Sequence, residues 1–365
     1  MPTKAESNPK IDAIIAKASK KYGAGTLIKG SQLKGLELPR TTTGSLALDI
    51  MLGGGWPLNQ WNELIGNESN GKTVVALKTI AANQALDPDY EALWVDSEGF
   101  DPVWAAKLGV DLDRLTISTT NIMEQAFQIV VDMLDARAVD AIVIDSLPAL
   151  TTQAEQDRLM EEFTVGVAAK LTNQFVRKSG SAGKRSLIDE DRDCLIIFIN
   201  QWRSKIGVMY GDPRTTPGGM GKNFAYFTRV ELARDEWINA GTGDNKVKVG
   251  MTIKARTMKN KTAPPQRQAY VDFYFDDCTG FSAGDYDPVK EAFNLGMSHG
   301  VIERKGAWYH YGGEKWNGKD DAWEGIRQDV ELRKQLGEDV MKVVESKYKV
   351  STTPTEEDVD PGSAE

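Results

Sequence analysis

The stretch "GNESNGKT", from Gly66 to Thr73, fits the pattern G-x-x-x-x-G-K-[ST]. In loops of this pattern, backbone N–H groups cradle phosphate oxygens at the N-terminus of a helix. The short run Trp61–Ile65 before the loop predicts a strand, and the run Lys72–Leu86 after it predicts a helix. This strand–loop–helix order predicts a nucleotide-binding protein with an α/β fold.

The loop pattern also predicts which groups hold the nucleotide. Lys72 is expected to bridge the β- and γ-phosphates, and the Thr73 hydroxyl is expected to ligate Mg²⁺. The remaining backbone of the loop is expected to contact the phosphates. The candidate nucleotide-binding residues here are Gly66, Asn67, Glu68, Ser69, Asn70, Gly71, Lys72, Thr73 and Val74.

Apolar runs alternate with helical patterns from about residue 40 to 276. Strands with continuous apolar runs, separated by helices, predict a mostly parallel sheet that is covered on both faces. Further strands are predicted at Ala92–Val95, Leu115–Ser118, Ala141–Ile144 and Leu195–Ile199, and further helices at Glu124–Ala138 and Phe163–Lys178. Three later strands are predicted at 225–234, 247–258 and 269–275.

Polar residues follow three of these strands, at the end where parallel sheets bind ligands. Asp145 ends an apolar run and is expected to hold the Mg²⁺ shell, although a helix-capping carboxylate is the alternative. Asp96 and Glu98 follow one strand, and either could orient or deprotonate a water at the γ-phosphate. Gln201 is either a sensor of the γ-phosphate or a solvated strand-end amide.

The segment "RSKIGVMYGDPRTTPGGMGKN", residues 203–223, has no regular period. A loop of this length inside a compact domain is usually functional or disordered. Its cations, glycines and hydroxyls suit a nucleic-acid backbone with unstacked bases, and a solvated loop is the alternative. With the helix before the preceding strand, the candidates are Lys170, Asn173, Arg177, Arg203, Lys205, Arg214, Thr215, Thr216 and Lys222.

A second basic segment, "KARTMKNKTAPP", contains Lys254, Arg256, Lys259 and Lys261. Alternation along a strand directs Lys259 and Lys261 to one face. Cations that complete a nucleotide site from a neighbouring subunit would have this pattern. The alternative is an edge strand whose lysines keep the protein soluble.

Composition shifts divide the chain into four parts. Residues 1–38 hold an amphipathic helix at 10–22, which packs either on its own core or on a neighbouring subunit, and a linker. Residues 39–276 are the core, and 277–348 form a small, mostly helical unit. The acidic tail, 349–365, is expected to be disordered.

The composition is that of an ordinary globular protein, with 41% hydrophobic and 27% charged residues. Neither a membrane span nor a signal peptide is visible in the sequence. Two cysteines predict no disulfide framework, and with two histidines they make a zinc site unexpected, so a reducing cytoplasm is predicted. The net charge is −9, but five of the acids lie in the last ten residues, so a local basic surface for a nucleic acid remains compatible with the sequence.

Taken together, these elements resemble the bacterial and phage RecA family of recombinases over roughly residues 10–345. The resemblance is carried by "TGSLALDIMLGGG", "GNESNGKT", "WVDSEGFDP", "VIDSLPALT", "FINQWRSKIGVMYGDPRTTPGG", "MKNKTAPP" and "GAWYHYGGEKWNGK". It implies an α/β fold: a RecA-like P-loop ATPase core with a mostly parallel central sheet, an N-terminal helix and a small α+β C-terminal domain.

The resemblance implies a DNA-dependent ATPase that forms helical filaments on single-stranded DNA. With ATP and Mg²⁺ bound between subunits, such filaments pair with homologous duplex DNA and exchange strands in recombination and repair. Loader or single-strand-binding proteins are candidate partners. Two other classes compete: a ring-shaped helicase or motor with a similar core, and a binding protein that uses ATP only as a clamp. The 203–223 loop, the C-terminal unit and Glu98 favour the recombinase.

By the same resemblance, Glu98 is the catalytic glutamate and acts with Lys72 and Gln201, while Lys259 and Lys261 reach ATP across the subunit interface. Trp104 lies where the family has a tyrosine beside the nucleotide base, and Asp101 is a further predicted ATP-binding residue. The residues with implied roles at the nucleotide are therefore Lys72, Thr73, Glu98, Asp101, Trp104, Asp145, Gln201, Lys259 and Lys261.

The resemblance also places DNA at two loops and one strand. Residues 156–165 resemble the first DNA loop and 202–219 the second, and Lys254 and Arg256 fall where the family binds a second DNA strand. The second loop adds Ser204, Gly218, Gly219 and, beside it, Met220. The chain departs from the family in a longer connection at 179–194 and in "ARDEW", which lacks part of a basic pair and so weakens the prediction of the second-strand site.

Overall fold

The structure is a computed structural model that describes residues 8–23, 26–29, 38–157, 166–185, 193–204, 214–219, 221–241, 243–278 and 280–348. These residues form eleven α-helices: α1 (Pro9–Tyr22), α2 (Leu46–Leu52), α3 (Lys72–Leu86), α4 (Pro102–Lys107), α5 (Met123–Ala136), α6 (Gln153–Gln156), α7 (Val167–Arg185), α8 (Gly221–Ala225), α9 (Pro288–His299), α10 (Lys319–Gln328) and α11 (Val330–Tyr348).

The same residues form fifteen β-strands, several of them only two residues long. They are β1 (Arg40–Thr41), β2 (Trp56–Pro57), β3 (Trp61–Gly66), β4 (Ala92–Asp96), β5 (Leu115–Ser118), β6 (Ala141–Asp145), β7 (Leu195–Gln201), β8 (Arg203–Ser204), β9 (Arg214–Thr215), β10 (Thr228–Ala240), β11 (Val247–Asn260), β12 (Gln268–Tyr274), β13 (Glu303–Lys305), β14 (Trp308–Tyr311) and β15 (Glu314–Asn317).

Eight strands form the central sheet, in the order β12-β11-β10-β3-β7-β6-β4-β5. The strands from β10 to β5 are all parallel to their neighbours, and β11 and β12 add an antiparallel edge. The predicted α/β class with a mostly parallel central sheet is therefore confirmed.

Both faces of the sheet are buried. Adjacent residues of a strand point to opposite faces and therefore pack in different cores. Val143 packs with Leu64 and with Ile80 of α3 in one core. Its neighbour Ile142 packs with Val130 of α5 in the other core. This two-sided burial explains why the sequence of these strands is continuously apolar.

The end of the chain forms a separate small core. Helices α9, α10 and α11 enclose Phe293, Ile326 and Leu336, which are fully buried. A three-stranded antiparallel sheet, β13-β14-β15, packs with them. The mostly helical unit predicted from the sequence thus also contains a sheet, as the α+β description implied by the resemblance requires.

Several element boundaries differ from the sequence predictions. Strand β10 continues to Ala240, well past the predicted end at residue 234, because its outer part pairs with β11 rather than with the buried sheet. Helix α7 continues to Arg185. The first DNA loop beyond Asp157, the tail at 349–365, Lys205 and Met220 lie outside the described residues.

No helix within the described ranges is long and apolar enough to cross a bilayer.

Candidate nucleotide site and nucleic-acid interface

The phosphate loop connects β3 to the N-terminus of α3. Gly71 caps the helix in a left-handed conformation with φ of 83°, and a Cβ there would meet the Ile253 side chain at 2.6 Å. This position therefore requires glycine. The Lys72 ammonium turns back over the loop and donates to the carbonyl of Asn67 at 2.7 Å. Burial lowers the pKa of Lys72, and Asp145 and Glu98 act in the opposite direction.

Thr73 and Asp145 meet at the carboxyl end of the sheet. The Thr73 hydroxyl donates to Oδ2 of Asp145 at 2.9 Å. Burial raises the pKa of Asp145 to about 6, and the Thr73 hydrogen bond only partly opposes this. A hydroxyl and a carboxylate at this spacing are a donor set that suits Mg²⁺.

Glu98 and Gln201 touch each other at the same edge. The Gln201 amide donates to Oε1 of Glu98 at 3.1 Å, and the Ser146 hydroxyl donates to the same oxygen. The order of the strands brings the two residues to one edge, because β4, which precedes Glu98, and β7, which ends at Gln201, are the two parallel neighbours of β6. A predicted sensor and a predicted base are thus directly connected.

Asp96 is used differently from Glu98. Its carboxylate accepts hydrogen bonds from the backbone N–H groups of Glu98, Gly99 and Phe100, at 3.2, 2.8 and 3.1 Å. The carboxylate of Asp96 therefore builds the turn that carries Glu98. This arrangement favours Glu98 over Asp96 as the group that acts on a water.

A pocket of about 370 Å³ lies beside the loop. It is lined by residues 69–74 and by the side chains of Trp237, Met251 and Phe275, which the sequence predictions omitted. Two further residues predicted to bind ATP, Asp101 and Trp104, lie in the first turn of α4 and its cap. Asp101 caps α4 through the N–H groups of Val103 and Trp104, and the Trp104 ring lies 6.2 Å from that of Phe273.

The segment predicted to be the second DNA loop, residues 202–219, contains a short antiparallel strand pair. Arg203 lies opposite Thr215, and Ser204 lies opposite Arg214. Arg203 and Ser204 are exposed. The hairpin leaves the sheet immediately after Gln201, so the predicted γ-phosphate sensor and the predicted DNA loop are continuous in the chain.

Helix α7 brings further predicted DNA-binding residues to the end of this loop. A Cβ at Gly219 would meet Ala169 at 3.1 Å, and Gly221 lies against the Asn173 side chain. Lys170 and Arg177 are exposed on the same helix. The structure therefore groups the α7 residues with the glycines of the loop.

One predicted DNA cation, Lys222, is not available to a ligand. Its side chain is fully buried and donates to the Thr216 hydroxyl, and its ammonium lies 3.6 Å from Glu63. Glu63 is also buried, and it accepts hydrogen bonds from Asn200 at 2.8 Å and Arg229 at 2.6 Å. The cause is the local chain path, since α8 directs Lys222 into the core. Thr216 is buried with it.

The basic pair of Lys259 and Lys261 lies at the end of β11 and just beyond it. Lys259 donates to the carbonyls of Asn223 and Phe224 at 2.8 and 3.3 Å, and Lys261 lies 5.4 Å from the Phe227 ring centroid. Burial lowers the pKa of Lys259, and the neighbouring charge of Lys261 adds to the effect. Lys254 lies 5.5 Å from the Tyr270 ring centroid.

Known proteins match this chain along most of its length. The family model of the RecA N-terminal domain matches residues 9–280, and that of the RecA C-terminal domain matches 290–345. Protein RecA of Methylobacterium radiotolerans is 35% identical over 370 aligned residues, covering 100% of this chain and 97% of the relative. Protein RecA of Thermus aquaticus is 38% identical over 343 residues, covering 93% and 94%.

This chain belongs to the RecA family. The resemblance predicted from the sequence motifs is thereby confirmed, and so is the RecA-like core. RecA-family membership also implies that the chain binds a nucleotide. The residues missed by the sequence predictions, Trp237 and Glu63 among them, lie outside the family motifs that were recognised.

Proposed function

We propose that the chain is an ATP-dependent recombinase that forms helical filaments on single-stranded DNA and exchanges strands with homologous duplex DNA in recombination and repair. The observation that carries this proposal is the contact between Gln201 and Glu98, because Gln201 leads directly into the hairpin of the second DNA loop. An amide that touches the catalytic carboxylate and begins the DNA loop can link nucleotide state to DNA binding.

ATP would be held by the phosphate loop, with Lys72 on its phosphates, Trp104 beside its base and Asp101 as a further contact. Mg²⁺ would be held by Thr73 and Asp145, and it would supply neutralisation of charge on the phosphates. Within the chain itself, Glu98 is the base for water, and Asp96 keeps the turn of Glu98 in place. Gln201 reports the γ-phosphate.

DNA would be bound by the second loop with α7, by the first loop, and at a second-strand site by Lys254 and Arg256. Exposed Lys170, Arg177 and Arg203 supply cations for phosphates, and the loop glycines supply backbone N–H groups. Because these contacts neutralise phosphates, DNA affinity is expected to fall steeply with salt even though the net charge is −9.

Assembly would bring Lys259 and Lys261 to the ATP of a neighbouring subunit, and α1 would dock on that neighbour. No residue of α1 is buried in the single chain, which supports a role between subunits. The four-part division at 1–38, 39–276, 277–348 and 349–365 belongs to this proposal. So do a cytoplasmic location and partners that load the protein or coat single-stranded DNA.

Negative-stain electron microscopy tests the proposal. The protein is mixed with single-stranded DNA and a slowly hydrolysed ATP analogue, and a sample without nucleotide is the control. Extended helical filaments that need both ligands are the expected result. Closed rings would support a helicase or motor instead, and the absence of filaments when both ligands are present would overturn the proposal.

A further inference from the structure

A buried chain of hydrogen bonds leads from the core to the backbone of Gln201. The side-chain amide of Asn200 is fully buried and makes two contacts. Its Nδ2 donates to Oε1 of Glu63 at 2.8 Å, and its Oδ1 accepts the backbone N–H of Gln201 at 3.0 Å. Glu63, Asn200 and the backbone N–H of Gln201 are called the Asn200 bridge below.

The sheet places Asn200 and Glu63 on the same face. Glu63 of β3 pairs with Phe198 of β7, and Asn200 lies two residues further along β7. The pairing of β7 with its other neighbour, β6, ends at Phe198. Asn200 therefore supports the part of β7 that extends beyond β6, from which the Gln201 side chain reaches Glu98.

The carboxylate of Glu63 decides which way the Asn200 amide points. An ionised carboxylate only accepts hydrogen bonds, while an amide has one accepting end and one donating end. Glu63 already accepts a hydrogen bond from Nε of Arg229 at 2.6 Å, and the ammonium of Lys222 lies 3.6 Å from it. Asn200 must therefore turn its NH₂ group to Glu63, which leaves its oxygen for the N–H of Gln201.

The negative charge of Glu63 is held inside the protein by two cations. The side chains of Glu63 and Lys222 are 0% exposed, and that of Arg229 is 14% exposed. Taking a carboxylate out of water is costly unless such partners compensate its charge. Because both cations are present, Glu63 can remain an acceptor that orients Asn200.

We propose that Asn200 and Glu63 are positioning residues that hold Gln201 in the orientation needed to contact the γ-phosphate. Asn200 fixes the peptide N–H of Gln201, and Glu63 fixes the direction of Asn200. A sensor amide that is already oriented loses less conformational freedom when the reacting arrangement forms. This inference rests on the proposed function, because Gln201 is the proposed sensor of that phosphate.

Reversing the polarity of the Asn200 bridge tests this role. Asn200→Asp keeps an oxygen for the N–H of Gln201, but it replaces the donor with a second negative charge beside Glu63. Glu63→Gln alone removes the charge that sets the direction of the Asn200 amide. The double variant, Glu63→Gln with Asn200→Asp, can form the bridge again with donor and acceptor exchanged, and its net charge equals that of the wild type.

DNA-stimulated ATP hydrolysis is measured for each variant, and kcat is separated from KM. Each single variant should lower kcat by roughly tenfold to hundredfold, because the Gln201 amide is misplaced. KM should stay near the wild-type value, since the phosphate loop is unchanged. The double variant should recover most of the lost kcat, a pattern that loss of stability alone does not produce.

The other end of β7 offers a matched control. Asn59 makes the same kind of bridge there: its Nδ2 donates to Asp193 at 2.6 Å, and its Oδ1 accepts the backbone N–H of Cys194 at 3.0 Å. Asn59→Asp therefore makes the same chemical change at the strand end opposite Gln201. It should lower the melting temperature, because a carboxylate then faces Asp193, but it should leave kcat at the wild-type value.

A double-mutant cycle shows whether the Asn200 bridge acts through Gln201. Gln201→Ala is expected to lower kcat by itself. Adding Asn200→Asp to that variant should lower kcat little further, because the residue that Asn200 positions is already removed. This cycle decides the matter if the polarity-reversed double variant does not fold.

Three results would overturn the positioning role: no recovery of kcat in a folded double variant, a kcat loss in Asn59→Asp as large as that in Asn200→Asp, or losses of Asn200→Asp and Gln201→Ala that multiply. Wild-type turnover in Gln201→Ala would overturn the sensor assigned in the proposed function, and the positioning role with it. Failure of the wild-type chain to hydrolyse ATP with DNA would overturn the proposed function itself.

Discussion

The two halves of the central sheet differ in how their residues are used. In the parallel half, β3 and β6 are buried along their entire length, and the residues predicted to act on the nucleotide lie at the strand ends. In the antiparallel half, β10 alternates between buried and accessible positions and then becomes exposed. The parallel half thus places its predicted nucleotide-binding groups at one edge. The antiparallel half instead presents cations along an accessible surface.

This difference matches the two kinds of ligand. A nucleotide is compact, and the edge of a parallel sheet collects groups from several strands at one point. A DNA strand is extended and uniformly charged, and an accessible strand presents cations along a line. The halves meet at β10 and β3, where Glu231 pairs with Ile65.

The largest expected effect tests whether the two halves act on one nucleotide from different subunits. Lys72→Ala in the parallel half, and Lys259→Ala with Lys261→Ala in the antiparallel half, should each abolish ATP hydrolysis. When the two proteins are mixed, some interfaces pair an intact loop with intact lysines, so part of the DNA-stimulated hydrolysis should return.

Hydrolysis is measured at several mixing ratios, and co-assembly on DNA is verified separately. If no ratio restores hydrolysis although the variants co-assemble, the lysines act within their own subunit or only stabilise the strand.

The second effect concerns the two carboxylates after β4. Glu98→Gln should lower ATP turnover by roughly 10²–10⁴-fold, because it removes a base but keeps the size of the side chain. Nucleotide and DNA binding should persist. Asp96→Asn is the matched variant, and it should lower turnover less, since its amide oxygen can still accept the N–H groups of Glu98 and Gly99, although the hydrogen bond from Phe100 is lost. If Asp96→Asn lowers turnover more than Glu98→Gln does, Asp96 is the catalytic base instead of Glu98.

The third effect compares the stability of the halves. Ile142→Ala, in a strand that is buried on both faces, should lower the free energy of unfolding by about 2–5 kcal/mol. Val247→Ala, at a β11 position that is 59% exposed, should change it by no more than about 0.5 kcal/mol. Urea unfolding of the nucleotide-free protein measures both. Equal losses would show that the hairpin end of β11 is covered in solution.

The smallest effect is a pH dependence at Asp145, whose pKa burial raises to about 6. Below that pH the carboxyl is protonated and no longer attracts Mg²⁺, so Mg²⁺–nucleotide affinity should fall by about tenfold for each further pH unit. For folding the sign is opposite: the raised pKa favours the native state at low pH, and this contribution is lost as pH rises through about 6.

Titration of nucleotide binding between pH 5 and 8 measures the effect, with Asp145→Asn as the control because the nucleotide also titrates. Identical pH profiles for the wild type and Asp145→Asn would exclude Asp145 as the source of the pH dependence.

The parallel half was largely predictable from the sequence. The strand Leu115–Ser118 and the helix Lys72–Leu86 have the predicted bounds, because continuous apolar runs and a glycine-rich loop leave few alternatives. The grouping of Thr73 with Asp145 and of Glu98 with Gln201 follows from strand ends that share one edge. Whether these residues have the proposed roles is left to the variants above.

The antiparallel half and its contacts were less predictable. The hydrophobic pattern of the sequence does not distinguish Lys222 of α8, which is buried, from Arg203 of β8, which is exposed. Trp237 lines the pocket beside the phosphate loop because β10 extends beyond its predicted end. Such placements depend on partners distant in sequence, and local patterns carry no information about them.

The burial of Lys222 has a consequence for chemical labelling. Its amino group lies inside the protein against Thr216, so an amine-reactive reagent reaches it only when the end of the loop lifts from the core. The rate at which Lys222 is acylated therefore reports how often the end of the loop detaches, and the measurement needs no added dye.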